Sequence, residues 1–234
     1  MLKQNLTAAA TATTVGARPP STFVPAARRA ERPLDAAFQM AGAPVTFERN
    51  VEIYGEEEPA EYFYQVAKGA VRTYKVLQDG RRQIGAFHLP GDVFGLEAGD
   101  VHAFSAEAIA HSVIRVAKRS GIVAMAARDS DLAADIFART AGSLRVAQEH
   151  MLLLGRRNAE ERVATFLLDL ARRESSDGVI ELPMSRQDMA DYLGLTIETV
   201  SRTLTHLESK AVIELPTSRR ILVLSRGSLQ RLNA

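Results

Sequence analysis

The sequence predicts an α+β chain: an antiparallel β-roll or barrel, then one long helix, then a C-terminal helical domain closed by a β-hairpin. Three observations carry this. Between about residues 44 and 118, short apolar runs alternate with Gly, Pro and Asp turn signals. From Ser130 to about Leu154, apolar residues recur at helical spacing. Beyond Asn158, helix starts and stops follow closely and end in two apolar strands around Pro216-Thr-Ser-Arg219.

The 234 residues, 46% hydrophobic and 24% charged, suffice for two compact domains with a buried core. Cysteine is absent, which excludes disulfides, thiolate zinc fingers, cysteine-ligated iron–sulfur clusters and a cysteine nucleophile. The net charge of +1 excludes a bulk polyelectrolyte binder, so affinity for phosphate must come from a local patch. One lies from Thr196 onward: Arg202, Lys210, Arg219, Arg220, Arg226 and Arg231 face only Glu198, Glu208 and Glu214. No apolar stretch approaches the roughly 18 residues that span a bilayer, and the N-terminus lacks a secretory signal pattern. The expected location is cytoplasmic, with no membrane partner.

Residues 1–33, rich in Ala, Thr, Pro and Arg, read as a mobile tail. A short amphipathic helix, Leu34 to Met40, opens a β-roll unit over 34–128. Its runs are Val51–Ile53, Tyr62–Val66, Ala70–Leu77, Gln83–Leu89, Ala106–Ala110 and Val113–Ala117. Asp79-Gly80 predicts a type I′ hairpin turn, which needs positive φ at both central residues. A helix over Gly121–Arg128 closes the unit.

Residues 129–155 read as a dimerisation helix with two overlapping stripes. One runs Leu132, Ile136, Thr140, Ser143, Ala147, His150, Leu154; the other runs Phe137, Ala141, Leu144, Met151. A helix apolar on two sides must bury both. The 4-3-4-3 spacing of the first stripe, small at its middle, suits a symmetry-related helix. The expected homodimer interface is Ile136, Thr140, Ser143, Leu144, Ala147, His150, Met151 and Leu154; a core helix of a monomer is the alternative. Gly155-Arg156-Arg157 marks the break.

In the last unit, 156–234, Asn158 starts a helix with Glu161 as capping partner and Val163, Phe166, Leu167 and Leu170 as its apolar face. Asp177-Gly178 reads as a turn and Val179–Leu182 as a short strand. Ser185 then caps one helix with Asp188 at its third position, Gly194 ends it, and Thr196 caps a second, Ile197 to about Glu208. Two helices joined this way form a helix-turn-helix between Arg186 and Leu207. Ala190 supplies the small contact residue, and Met189, Leu193, Leu195, Val200 and Leu204 the shared core.

That leaves Ile197, Glu198, Ser201 and Arg202 facing outward from the turns that enter the major groove of double-stranded DNA. Arg202 matches guanine O6 and N7; Glu198 accepts from cytosine N4 or orients Arg202; Ser201 and Ile197 reach a base edge or a thymine methyl. Expected phosphate contacts are Ser185, Arg186, Thr196 and Thr199, with Arg219 and Arg220 on a wing formed by Ala211–Leu215 and Arg220–Leu224. A solvated helical hairpin is the competing explanation of the charges. Ser225 caps a last helix through Leu232.

From about residue 40 the sequence resembles the CRP/FNR superfamily of bacterial transcription regulators. The resemblance rests on Leu89-Pro-Gly-Asp-Val-Phe-Gly, the long helix, Leu182-Pro-Met-Ser-Arg-Gln-Asp-Met-Ala-Asp-Tyr-Leu-Gly-Leu-Thr, and Ile197-Glu-Thr-Val-Ser-Arg202. Glu198…Ser201-Arg202 is similar to the FNR-like branch, and within it to the FixK-type regulators. The resemblance implies a cyclic-nucleotide-binding-like β-roll, a winged helix-turn-helix, a TTGA…TCAA palindrome with one half-site per subunit, and activation through RNA polymerase. It also implies control of low-oxygen respiration, nitrogen fixation or denitrification. The residues themselves do not separate activator from repressor.

Cyclic-nucleotide binders of this superfamily carry a Gly-Glu pair and then an Arg-Ser pair. Here the segments read Phe94-Gly-Leu-Glu97 and Ala103-Phe-Ser-Ala106, with Phe104 where the arginine is needed. A buried phosphate there would lack a cation, so no cyclic nucleotide is expected. No cofactor and no metal are expected either. A haem- or small-ligand-responsive sensor or repressor of the same superfamily is the alternative. Among His88, His102, His111, His150 and His206 only His102 and His111 are candidates to approach each other across a hairpin. No nucleophile elbow, P-loop or paired-carboxylate motif suggests an enzyme, and Glu56-Glu57-Glu58 reads as a solvated loop.

Overall fold

The computed structural model describes residues 32–156, 158–173 and 178–232. The expected tail lies outside the described residues except at its end, where Arg32 is the N-cap of α1 (Pro33–Ala41). Proline suits the first helical position because the missing N–H has no helical acceptor there. Helix α1 buries Leu34, Ala37 and Phe38.

Eight strands follow: β1 (Ala43–Phe47), β2 (Glu52–Tyr54), β3 (Tyr62–Lys68), β4 (Val71–Val76), β5 (Arg82–His88), β6 (Val93–Phe94), β7 (Ser105–Ala108) and β8 (Ser112–Lys118). They form two antiparallel four-stranded sheets, β1-β8-β3-β6 and β2-β7-β4-β5. Tyr54, Tyr64, Val66, Val71, Phe94, Ala106 and Ile114 fill the core of the roll. The six apolar runs all fall on strands. The sequence did not single out β1 or β6: β1 is an edge strand, exposed over most of its length and holding Pro44, and so shows no alternation. Strand β6 has only two residues.

The turn between β4 and β5 corrects an expectation. Gly80 is left-handed at φ +80°, but Asp79 is not among the positive-φ residues. The Gly80 amide donates to Leu77 O at 2.8 Å and the Leu77 amide to Arg81 O at 2.7 Å. The loop is therefore Gln78-Asp79-Gly80 with glycine at the bulge, not a two-residue type I′ turn. Asp79 Oδ1 accepts from the Arg81 amide at 3.0 Å, which stabilises the αR side of the loop.

Helix α2 (Arg119–Ala126) leads into α3 (Ser130–Arg156). Helix α3 ends at Arg156, within the expected Gly155-Arg156-Arg157 break, with Gly155 in its last turn where the low helix propensity of glycine costs little. Arg157 lies outside the described residues. With α1 and α2, the start of α3 covers the roll through Phe63, Ala117, Ile122 and Leu132.

The C-terminal unit comprises α4 (Ala159–Arg173), β9 (Val179–Glu181), α5 (Arg186–Leu193), α6 (Ile197–Ser209), β10 (Ile213–Thr217), β11 (Arg220–Val223) and α7 (Arg226–Leu232), with a sheet ordered β10-β11-β9. Asn158 Oδ1 accepts from the Glu161 amide at 3.0 Å and Glu161 Oε2 from the Asn158 amide at 3.1 Å, a complete capping box. Asp177, half of one expected turn, lies outside the described residues. Pro216 falls inside β10, at the register shift between Glu214 and Thr217, so the tip is Ser218-Arg219 alone. One apolar cluster joins the two units: Ile84, Phe87 and Leu89 of the roll pack with Phe166, Met189 and Leu193.

Candidate nucleic-acid interface

The interface is built from helix ends. Ser185 Oγ accepts from the Asp188 amide at 3.1 Å, and Asp188 Oδ2 accepts from the Ser185 amide at 2.9 Å, so α5 begins with a complete capping box. Gly194 ends it at φ +61°, ψ +41°. A Cβ there would come within 3.2 Å of Leu154 Cδ2 and 3.3 Å of Arg162 Nη1, so glycine suits the left-handed backbone and the tight fit beside those side chains. Arg162 Nη1 donates to Leu193 O at 2.8 Å and its Nη2 to Leu154 O at 2.9 Å. This arginine of α4 staples the turn from 31 positions away, a contact that no local pattern signals.

Thr196 restarts the chain as helix, its Oγ1 accepting from the Thr199 amide at 3.2 Å. Val200 and Leu204 of α6 are buried with Met189, Ala190 and Leu193 of α5. Burial of those positions turns Ile197 (37% exposed), Glu198, Ser201 and Arg202 to the outside, all on one face. The Glu198 carboxyl is held below its usual pKa by its own backbone N–H, then by the Thr196 side chain and the nearby Arg202. Glu198 therefore carries a negative charge one helical turn before Arg202 on the same exposed face.

The expected phosphate contacts divide. Thr196, Thr199 and Arg186 line the two helix starts, where orphan N–H groups favour anions. Arg186 is half-buried with Nη1 3.8 Å from Met189 Sδ; burial lowers its pKa from the usual value. Ser185 is committed otherwise, since its hydroxyl donates to Asp188 Oδ2 at 2.7 Å. Arg219 is too: its Nη1 donates to Pro183 O at 2.7 Å and to Leu182 O at 3.4 Å, folding it back onto the protein. Arg220 is paired with Glu181 across β11 and β9 at 3.3 Å and is about half exposed. Ser185 thus serves the cap, and Arg219 uses Nη1 to attach the wing.

On α3 the packing within the protomer separates the residues of the expected dimer face. Leu132 is buried and Ile136 packs against the α1–α2 cluster. His150 Nε2 donates to Tyr192 O at 2.7 Å, and Leu154 packs into the C-terminal core. The ends of the first stripe therefore face the protomer itself. The second stripe stands free: Phe137 is 75%, Leu144 60% and Met151 66% exposed, with Ala141 exposed between them and exposed Thr140, Ser143 and Ala147 flanking them. Both stripes satisfy the helical period, and only tertiary packing decides between them.

Inside the roll, Phe104 lies against Gly85; a Cβ on that glycine would come within 3.0 Å of its ring. Lys75 Nζ sits 5.4 Å from the ring centroid and pairs with Glu56 at 2.6 Å. His102 is buried, stacked on Tyr54 at 3.6 Å, whereas His111 is exposed beside Glu48, so the two take different partners.

Residues 44–129 match the cyclic nucleotide-binding domain family and residues 161–232 the Crp-like helix-turn-helix domain family. The nitrogen fixation regulation protein FixK of Azorhizobium caulinodans is 50% identical over 214 residues, 89% of this chain and 86% of that protein. The chain belongs to the FixK-type regulators of the CRP/FNR family. The solved structure of FixK2 from Bradyrhizobium japonicum matches with a TM-score of 0.81 at 53% identity, covering 83% of this chain and 98% of that one. The transcriptional activatory protein AadR of Rhodopseudomonas palustris is 40% identical over 190 residues, 79% of this chain and 80% of its own. As a member of this family the chain is a transcription regulator that binds DNA through its helix-turn-helix. No helix among the described residues is long and apolar enough to cross a membrane.

Proposed function

We propose that this regulator works in the cytoplasm as a homodimer on a palindrome of the TTGA…TCAA type and activates low-oxygen respiration or nitrogen-fixation genes through RNA polymerase. The observation that carries the reading is the outward face of α6. Ile197, Glu198, Ser201 and Arg202 sit on the first two turns after the Thr196 cap, exposed while Val200 and Leu204 are buried. Such a face fits the major groove, where Arg202 would take guanine and the other three the neighbouring base edges. Arg186, Thr196, Thr199 and Arg220 would hold the flanking phosphates.

The dimer follows from Phe137, Leu144 and Met151, seven residues apart on the exposed side of α3. An apolar heptad in water calls for a partner helix, and a second copy offers the same stripe. The names of the relatives, in nitrogen fixation regulation and transcription activation, support the biological assignment.

Selection from a pool of random duplexes by the purified full-length chain tests this. The expected product is a two-fold symmetric consensus of the TTGA…TCAA kind. An asymmetric consensus, or none, would refute it.

A further inference from the structure

Two arginines of the roll reach across to the first helix of the helix-turn-helix. Side chains alternate along β4, so Val71 enters the roll's core while Arg72 points out of it. Arg72, 7% exposed, donates from Nη1 to Asp188 Oδ1 at 2.5 Å and from Nη2 to Glu107 Oε1 at 2.8 Å. Arg82, at the start of β5, donates from Nη2 to the same Asp188 oxygen at 2.8 Å and from Nε to Asp191 Oδ2 at 2.9 Å. Gln83 Nε2 donates to Asp191 O at 2.8 Å. Both guanidinium groups lie 5.7 Å from the Tyr74 ring centroid.

Asp188 is the centre of this network and is 3% exposed. Its Oδ2 caps α5 through Ser185, and its Oδ1 receives the two arginines. One carboxylate thus both starts the helix and fastens it to the roll. Apolar packing between Phe87 and Tyr192 brings the surfaces together without fixing their rotation. Guanidinium forks on a buried carboxylate are directional, and misalignment leaves a buried charge unpaired. In the fastened arrangement Ile197, Glu198, Ser201 and Arg202 stay exposed.

We propose that Arg72 and Arg82, gripping Asp188 and Asp191, form a latch that sets the orientation of α6 relative to the rest of its protomer. Through the dimer it sets the separation of the two recognition helices. These are positioning residues, reading no base themselves. The inference rests on the two-fold reading above.

Full-length Arg82→Gln is the main variant, because Arg82 is at the rim of the network and a quarter exposed. Affinity is measured on the palindrome, on a single half-site, and on palindromes with one base pair added or removed at the centre. If unlatching leaves roughly a tenth of the molecules competent, the palindrome dissociation constant rises about ten-fold. The half-site constant stays put and the penalty for a wrong spacer shrinks. Unchanged palindrome affinity overturns the proposal. Equal loss on the half-site does so too, since it indicates misfolding or direct contact with DNA; tighter binding would mean a clasp that inhibits.

A second measurement needs no DNA. Since the chain has no cysteine, spin labels on Lys118→Cys and Thr205→Cys report one distance per labelled protomer when diluted into unlabelled protein. A narrow distribution that broadens in Arg82→Gln supports the latch, and one that does not broaden overturns it whatever the oligomeric state. Failure of the two-fold reading would appear separately, as a parent chain that does not prefer the palindrome to the half-site.

Discussion

His150 of α3 lies flat on Tyr192 of α5, ring centroids 4.0 Å apart at an interplanar angle of 9°, and donates its Nε2–H to the Tyr192 carbonyl at 2.7 Å. Phe87 and Phe166 close around the same tyrosine at 5.3 and 5.6 Å, and burial pushes its hydroxyl pKa up to about 12. The roll, the long helix and the DNA-binding unit meet at this ring. His150→Ala removes a hydrogen bond and an aromatic contact, together worth about 1–3 kcal/mol. Urea unfolding should show that loss; an unchanged midpoint would mean the junction is held elsewhere.

Arg202→Ala should weaken binding by roughly 1–3 kcal/mol per half-site and relax discrimination at one G·C pair. Competition titrations against single-base operator variants check this. Equal loss on specific and random DNA would make Arg202 a phosphate contact instead.

Leu144→Glu should give monomers with poor palindrome affinity, because it places a charge in the exposed apolar heptad. Sedimentation velocity reads the outcome, and a full-affinity dimer would move the seam off this stripe. Ile136→Glu is a test of folding instead, since Ile136 packs within its own protomer.

Acid should destabilise the fold through its histidines. Burial first, and Arg173 second, push the His88 pKa from the usual 6.5 down to about 3; burial lowers that of His150 as well. Below about 6.5 the unfolded chain binds protons that the folded chain refuses, so stability falls as pH drops toward 3. Melting temperatures between pH 7 and 5 should decline, and His88→Gln should flatten the decline. A flat profile in the parent would contradict this.

Cyclic AMP should give no saturable heat in a calorimetric titration. Phe104 offers no cation for the cyclic phosphate, and its ring packs on Gly85. Micromolar, saturable binding would contradict this.

What could be read from the chain was local. Ser185 with Asp188, Gly194 and Thr196 with Thr199 act within a few residues, so the helix-turn-helix and its outward face were legible. Which stripe of α3 faces out was not, because Tyr192 and Gly194, distant in sequence, lie against His150 and Leu154. The Arg72–Asp188 contact spans 116 positions and leaves no periodic trace. The Gly155-Arg156-Arg157 break was legible for the same local reason as the helix-turn-helix: α3 ends at Arg156 and α4 begins at Ala159.

The central claim is that the face of Ile197, Glu198, Ser201 and Arg202 lies in the major groove when DNA is bound. A photoreactive side chain at position 201, irradiated on the selected operator, tests it most directly. The expected result is crosslinks to bases within each half-site, at symmetric positions. Tight binding without base crosslinks from that position would contradict it.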